Sequence, residues 1–121
     1  MVVTYVHHVG IPVYDLARAE AFYRDVLGIG RSPIPSYNPA SIVFLACGSS
    51  MIHLIRYGEE IQRPGRKGIH WAFEVDDLED AYRRVVASGC EIEIPISARP
   101  DSTQYFFFYD TEGNRIELCR H

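Results

Sequence analysis

One stretch of this chain occurs twice, and any fold it adopts must give both copies the same local structure. His8-Val-Gly-Ile-Pro-Val-Tyr-Asp-Leu-Ala-Arg-Ala is matched by His70-Trp-Ala-Phe-Glu-Val-Asp-Asp-Leu-Glu-Asp-Ala, an offset of 62 residues from position 8 to position 70. Val13 falls on Val75, Asp15 on Asp77, Leu16 on Leu78 and Ala19 on Ala81. A second match follows near the end of each copy. Ile52-His53-Leu54 falls on Ile116-Glu117-Leu118, an offset of 64 from position 53 to position 117. Two offsets this similar describe two halves of one plan that differ by a two-residue change in loop length.

Each half has the same grammar. Val9, Ile11 and Val13 alternate with His8, Gly10 and Pro12; Trp71, Phe73 and Val75 alternate with His70, Ala72 and Glu74. Period two predicts a strand with its apolar set on one face and its histidine on the other. Gly10 and Ala72 keep the histidine face uncrowded. Asp15 and Asp77 then stand where a helix N-cap belongs, since a carboxylate there accepts orphan backbone N–H groups. Leu16, Ala19, Phe22, Tyr23, Val26 and Leu27 form a one-sided apolar stripe, as do Leu78, Ala81, Tyr82, Val85 and Val86. Gly28 and Gly89 follow at the position that favours a left-handed residue.

Three more strands are expected in each half, near 30–35, 41–47 and 50–57, and near 90–96, 103–109 and 114–119. Pro33 and Pro35 interrupt the first of these. Asp110-Thr111-Glu112-Gly113 reads as the turn between the last two strands. The expected architecture is α+β: one domain over residues 1–121, built from two βαβββ modules. Module 1 spans about 1–57, a linker 58–67, and module 2 about 68–121. Helices cover one face of each sheet. The opposite faces, which carry the histidines and Glu117, are expected to face each other across a cleft.

Composition narrows the partners. The formal net charge is −4, and Lys and Arg do not cluster as a phosphate-backbone binder requires, so nucleic acid is not an expected partner. The basic run Arg63-Pro64-Gly65-Arg66-Lys67 reads as an exposed loop. No apolar stretch reaches the roughly 18–20 residues of a membrane span. The N-terminus has neither the charged nor the long apolar region of a signal peptide. Cys47, Cys90 and Cys119 are odd in number and widely spaced, which predicts reduced thiols, buried or half-buried, rather than a disulfide framework. These features together predict a cytoplasmic protein with no membrane partner.

The repeat singles out four polar positions. His8 and His70 hold matching places on the first strand of each half; His53 and Glu117 hold matching places on the last. By alternation His53 shares a face with Met51 and Ile55, and Glu117 with Arg115 and Cys119. Four groups related by a pseudo-twofold axis can close around one point on it. Three imidazoles and a carboxylate suit Zn, Ni, Fe, Co or Mn, so one divalent metal ion per site is expected. His7 and the terminal His121 are read as non-ligating. Tyr105, Phe107 and Tyr109 alternate with Phe106 and Phe108, so one set lines a pocket or packs a core. Arg99 and Arg115 are read as solvated surface charges, with an anionic substrate as the alternative.

With these residues in view, the chain resembles the vicinal oxygen chelate superfamily, also called the glyoxalase/bleomycin resistance/dioxygenase superfamily. The matching segments are His8-Val-Gly-Ile-Pro-Val-Tyr-Asp-Leu, Phe22-Tyr-Arg-Asp-Val-Leu-Gly28, Gly68-Ile-His-Trp-Ala-Phe-Glu-Val-Asp76 and Asp110-Thr-Glu-Gly-Asn-Arg-Ile-Glu-Leu118. The resemblance implies an open, cup-shaped barrel of paired βαβββ modules around a metal. His8, His70 and Glu117 match the three most regular ligand positions of that family. His53 falls where glyoxalase I enzymes usually carry Glu or Gln. The family also implies a homodimer, in which His8 and His53 of one chain meet His70 and Glu117 of its mate.

The implied activity is that of a divalent-metal-dependent, glyoxalase-like lyase or isomerase. Its substrate would be a small compound with vicinal oxygens, turned over through a metal-stabilised enediolate or oxyanion. Glu117 is the expected catalytic base, with His53 as a second candidate for that role. Two alternatives stand beside this reading. One is an Fe(II) ring-cleaving dioxygenase using a two-histidine, one-carboxylate set, against which a fourth ligand at His53 argues. The other is an antibiotic-resistance or small-molecule binding protein, although sequestering members of the family lack the ligand quartet.

Overall fold

The computed structural model describes residues 1–59 and 68–121 of the 121-residue chain. The chain divides into two units, Met1–Glu60 and Ile61–His121. The basic run at 63–67 and most of the expected linker lie outside the described residues. Among the described residues, no helix is long and apolar enough to cross a membrane.

The first unit runs β1 (His8–Val13), α1 (Leu16–Asp25), β2 (Ile42–Cys47) and β3 (Ser50–Arg56). Its sheet has the order β1-β3-β2, with β1 parallel and β2 antiparallel to β3. The expected strand at 30–35 is reduced to one bridge, Arg31 to Leu45. Two flanking backbone bonds, Ala46 N–H to Gly30 and Ser32 N–H to Phe44, extend that bridge slightly. Pro33 and Pro35 carry no N–H, so the ladder has nothing to continue on.

The second unit runs β4 (Trp71–Glu74), α2 (Leu78–Ala87), β5 (Ile92–Ala98), β6 (Gln104–Tyr109) and β7 (Arg115–Arg120). Its sheet has the order β4-β7-β6-β5, and β4 is parallel to β7. Here all four strands form. Pro95 is accommodated because β5 is an edge strand whose register with β6 shifts on either side of Ile94. The architecture is therefore α+β, with two modules of βαβββ type.

Both helices begin and end where the sequence predicts. The Asp15 carboxylate accepts the Arg18 N–H at 3.0 Å, and the Asp77 carboxylate accepts the Asp80 N–H at 3.0 Å. Gly28 and Gly89 take φ of +72° and +85°, a conformation that strains a residue with a Cβ. Helix α1 packs on β2 and β3, and α2 on β6 and β7. Each unit has its own apolar core on that side: Ile11, Phe22, Tyr23, Leu45 and Leu54 in the first, Leu78, Val85, Phe106, Phe108 and Leu118 in the second. Complete burial of each such side chain is worth about 1.5–3 kcal/mol, which makes this face the one that fixes strand register. Val86, assigned to the apolar stripe of α2, is half exposed instead.

That register decides the other face of each sheet. In the first unit Gly10, His53 and Phe44 form one row across the strands, with His8 and Met51 in the next. In the second, Ala72, Glu117 and Phe107 form the equivalent row, and Glu74, Cys119 and Tyr105 the next.

Candidate functional site

Each module brings its own pair of candidate ligands together. In the first, Gly10 lies opposite His53, so no side chain separates His53 from His8. The two imidazoles stack with centroids 3.8 Å apart and planes 13° from parallel. Phe44 stacks on the other side of His53 at 3.9 Å. His53 is only 6% exposed, and its Nε2 has no hydrogen-bond partner among the described residues. Burial, then the neighbouring His8 and His7, holds the His53 imidazole below the ordinary histidine pKa. A buried, neutral imidazole with a free nitrogen is what a metal ligand requires. Parallel stacked rings do not both aim in-plane lone pairs at one point, so joint coordination requires the exposed His8 ring to turn.

His7 does not turn away from this group as strand alternation suggests. It immediately precedes β1, and its Nδ1 lies 2.9 Å from the Nδ1 of His8. That contact leaves the Nε2 of His8 as its outward donor and sets which nitrogen is available.

In the second module His70 Nε2 lies 3.4 Å from Glu117 Oε1. Glu117 is 7% exposed, and its other oxygen accepts a 2.8 Å bond from Arg99 Nη2. Arg99 in turn lies over the Tyr105 ring, 3.8 Å from its centroid. Its hydrogen bond to Glu117 raises the Arg99 pKa, so the guanidinium is a fixed positive charge at the carboxylate. His70 Nδ1 is 3.4 Å from both the Gly68 carbonyl and Arg115 Nη1. When Nδ1–H faces the carbonyl, Nε2 presents a lone pair on the Glu117 side.

Arg115 corrects the expectation of a solvated surface charge. It is 4% exposed, and its Nε and Nη2 both donate to Glu93 Oε1, at 3.0 and 2.9 Å. Tyr109 donates its hydroxyl to the other Glu93 oxygen, and the Arg115 guanidinium lies over Phe107 at 4.1 Å. A buried charge persists when paired and hydrogen-bonded in this way. Arg99 also departs from the surface reading, because it is half-buried and bonded to Glu117. Tyr105, Phe107 and Tyr109 share the face of Glu117, and the last two are buried there.

Phe44 escaped the sequence reading, although a signal was present. It precedes His53 by nine positions, as Phe107 precedes Glu117 by ten. Both rings back a candidate ligand in the adjacent strand. A second group also went unnoticed. Glu74, Cys119 and His121 bring a carboxylate oxygen, a thiol sulfur and an imidazole nitrogen within 4.8 Å of one another. His121, read from the sequence as non-ligating, places its Nδ1 2.5 Å from Glu74 Oε1. The three cysteines form no disulfide and are half-buried.

Comparison with known proteins identifies the family. Residues 5–118 match the family model described as the glyoxalase/bleomycin resistance protein/dioxygenase superfamily. A glyoxylase-like domain-containing protein from Didymella fabae is 33% identical over 115 residues, covering 90% of this chain and 88% of that protein. A crystal structure from Bacillus anthracis, described as of a glyoxalase family protein, superposes with a TM-score of 0.79 at 26% identity, covering 100% of this chain and 98% of that one. The fosfomycin resistance protein FosX from Listeria monocytogenes superposes with a TM-score of 0.80 at 22% identity, over 99% of this chain and 95% of the other. By its sequence, its two modules and these likenesses, the chain belongs to the glyoxalase/bleomycin resistance protein/dioxygenase superfamily.

Proposed function

We propose that the protein is a divalent-metal-dependent lyase or isomerase of glyoxalase type, acting on a small substrate with vicinal oxygens. The observation that carries this reading is the pairing within each module: His8 against His53, and His70 against Glu117. Superfamily members commonly use a divalent metal, and the donors fit one. The unpartnered Nε2 of His53 is a buried polar atom that a metal would satisfy. Three imidazoles and a carboxylate suit Zn, Ni, Fe, Co or Mn.

His8, His53, His70 and Glu117 are the residues that would hold the ion. When bound, it supplies Lewis acidity to two adjacent substrate oxygens. Glu117 Oε1 is the base: it takes the proton from the hydroxyl-bearing carbon next to a carbonyl and returns it to the carbonyl carbon, while the hydroxyl proton passes to the former carbonyl oxygen, which completes an isomerisation without any external reagent. Arg99 stays bonded to Oε2 and so holds the Glu117 side chain in place while Oε1 handles the proton. His53, neutral at pH 7, is a ligand first and a second proton acceptor if it leaves the ion. Phe107 and Tyr105 give the same face apolar surface for the carbon skeleton of a substrate.

Metal analysis of the purified protein tests the ligand assignment. Each of His70→Ala and Glu117→Ala is expected to remove one divalent ion per chain relative to wild type. Equal metal content in all three proteins, with the fold retained, defeats the proposal. Hemithioacetal isomerisation with Ni or Zn then tests the chemistry. Catechol cleavage with Fe(II) under oxygen is expected to be negative, and a positive result assigns the dioxygenase reading instead.

A further inference from the structure

We infer that Glu74, Cys119 and His121 form a second divalent-metal site, for an ion of borderline softness such as Zn(II) or Co(II), separate from the four-ligand centre. The strand pairing builds it. Parallel pairing of β4 with β7 places Glu74 directly opposite Cys119, so the two side chains leave the sheet side by side on one face. His121 follows Cys119 by two positions and falls on that face as well. One donor atom from each residue lies within 4.8 Å of the other two. A tetrahedral ion with ordinary Zn–S, Zn–N and Zn–O bonds sets one sulfur, one nitrogen and one oxygen about 3.3–3.6 Å apart. The sulfur contacts therefore need to close by up to about 1.3 Å and the 2.5 Å His121–Glu74 contact to open by about 0.8 Å, and Glu74 and His121 are exposed enough to do so.

The donor chemistry is selective. A thiolate, an imidazole and a carboxylate together suit Zn(II) or Co(II) and disfavour Mg and Ca, which prefer oxygen alone. Thiolate and carboxylate also neutralise a divalent charge between them. The cluster is preassembled: the His121 ring and its backbone N–H both already meet Glu74 Oε1, at 2.5 and 3.3 Å. A metal takes the place of the proton in the ring contact. Cys119 stands two residues beyond Glu117, about 7 Å further along the strand. The two sets of donors therefore share a face without sharing an atom. A bound ion ties the end of β7 to the edge strand β4, and three protein donors leave a fourth tetrahedral position for water or another small ligand.

Co(II) titration of the full-length protein tests this site without any activity assay, because cobalt bound to a thiolate develops an intense near-ultraviolet charge-transfer band and cobalt bound by histidine and carboxylate alone does not. Wild type is expected to develop the band within two equivalents of cobalt per chain, since the four-ligand centre also takes the ion. Cys119→Ser is expected to lose it. Glu74→Gln and His121→Ala are each expected to weaken it by more than the roughly tenfold that loss of an outer partner costs. Cys47→Ser and Cys90→Ser are expected to keep it, as is Glu117→Gln, whose effect belongs to the other centre. The inference is overturned if no band forms, if it survives in Cys119→Ser, or if Glu74→Gln and His121→Ala leave it unchanged. A band lost in Glu117→Gln assigns Cys119 to the four-ligand centre and overturns it equally. Failure of the isomerase assay leaves this result untouched, so the two proposals fall separately.

Discussion

A buried polar atom left without a hydrogen bond costs about 1–3 kcal/mol, and His53 Nε2 carries that cost in the metal-free protein. Phenylalanine fills the same slot between His8 and Phe44 without an orphaned nitrogen. His53→Phe is therefore expected to raise the stability of the chelated protein by about 1 kcal/mol while removing the ion from the four-ligand centre. Urea denaturation with and without chelator measures the first effect, and metal analysis the second. The same residue sets a pH dependence. Its folded pKa lies below its unfolded value of about 6.5, so the unfolded chain binds more protons as the solution acidifies. The contribution is present above about pH 6.5 and is lost as pH falls from there toward the lowered folded pKa. A urea midpoint that falls between pH 7.5 and 5.5 in the metal-free wild type is expected to fall less in His53→Phe. Equal falls in both would place the acid sensitivity elsewhere.

At the scale of elements, the turn between β6 and β7 positions Glu117 more firmly than its loop composition suggests. Asp110 is buried, and its side chain accepts the Glu112 and Asn114 N–H groups at 2.8 and 2.9 Å, with the Asn114 amide at 3.2 Å. Hydrogen bonds to a charged group are worth about 1.5–3 kcal/mol each, and Asp110→Ala leaves several donors unsatisfied at once. It is expected to destabilise the protein by about 2–4 kcal/mol, with faster amide exchange along β7. The exposed helix cap is a milder case: Asp15→Ala removes one bond to the Arg18 N–H and is expected to cost about 1 kcal/mol. Denaturant midpoints for the two variants that reversed this order would show that the turn is not what holds β7.

At the scale of the whole molecule, the four proposed ligands arrive as two pairs, one from each module. Whether both pairs come from one chain or from two is open to a direct test. If sites are shared in a homodimer, a mixed dimer of His8→Ala and Glu117→Ala chains keeps one intact site, because the wild-type His8 of one chain meets the wild-type Glu117 of the other. Refolding the two inactive variants together is then expected to restore about a quarter of the wild-type sites: half of the dimers are mixed by random pairing, and each carries one of two sites. Size-exclusion chromatography checks that dimers form. Restoration of neither metal binding nor activity in a verified mixed dimer would place each site within a single chain.

Much of the fold was legible in the residues themselves. The repeat from His8 to His70 and from His53 to Glu117, the caps at Asp15 and Asp77, and the stops at Gly28 and Gly89 are all local signals. Period two and period 3.6 act over a few neighbours, so the chain alone determined which residues turn to the helices and which to the other face. The weakened strand near Pro33 and Pro35 was visible for the same reason. Contacts between distant residues were not legible. Arg115 is buried because Glu93, 22 positions away on β5, meets it across the intervening strand β6, and Arg99, in the turn from β5 to β6, likewise reaches Glu117 on β7. His121 meets Glu74 across 47 positions because β4 and β7 pair in one register out of several that the same alternation permits. Local patterning assigned each side chain to a face; the packing of the opposite, apolar face chose the register, and with it the neighbours each polar group received.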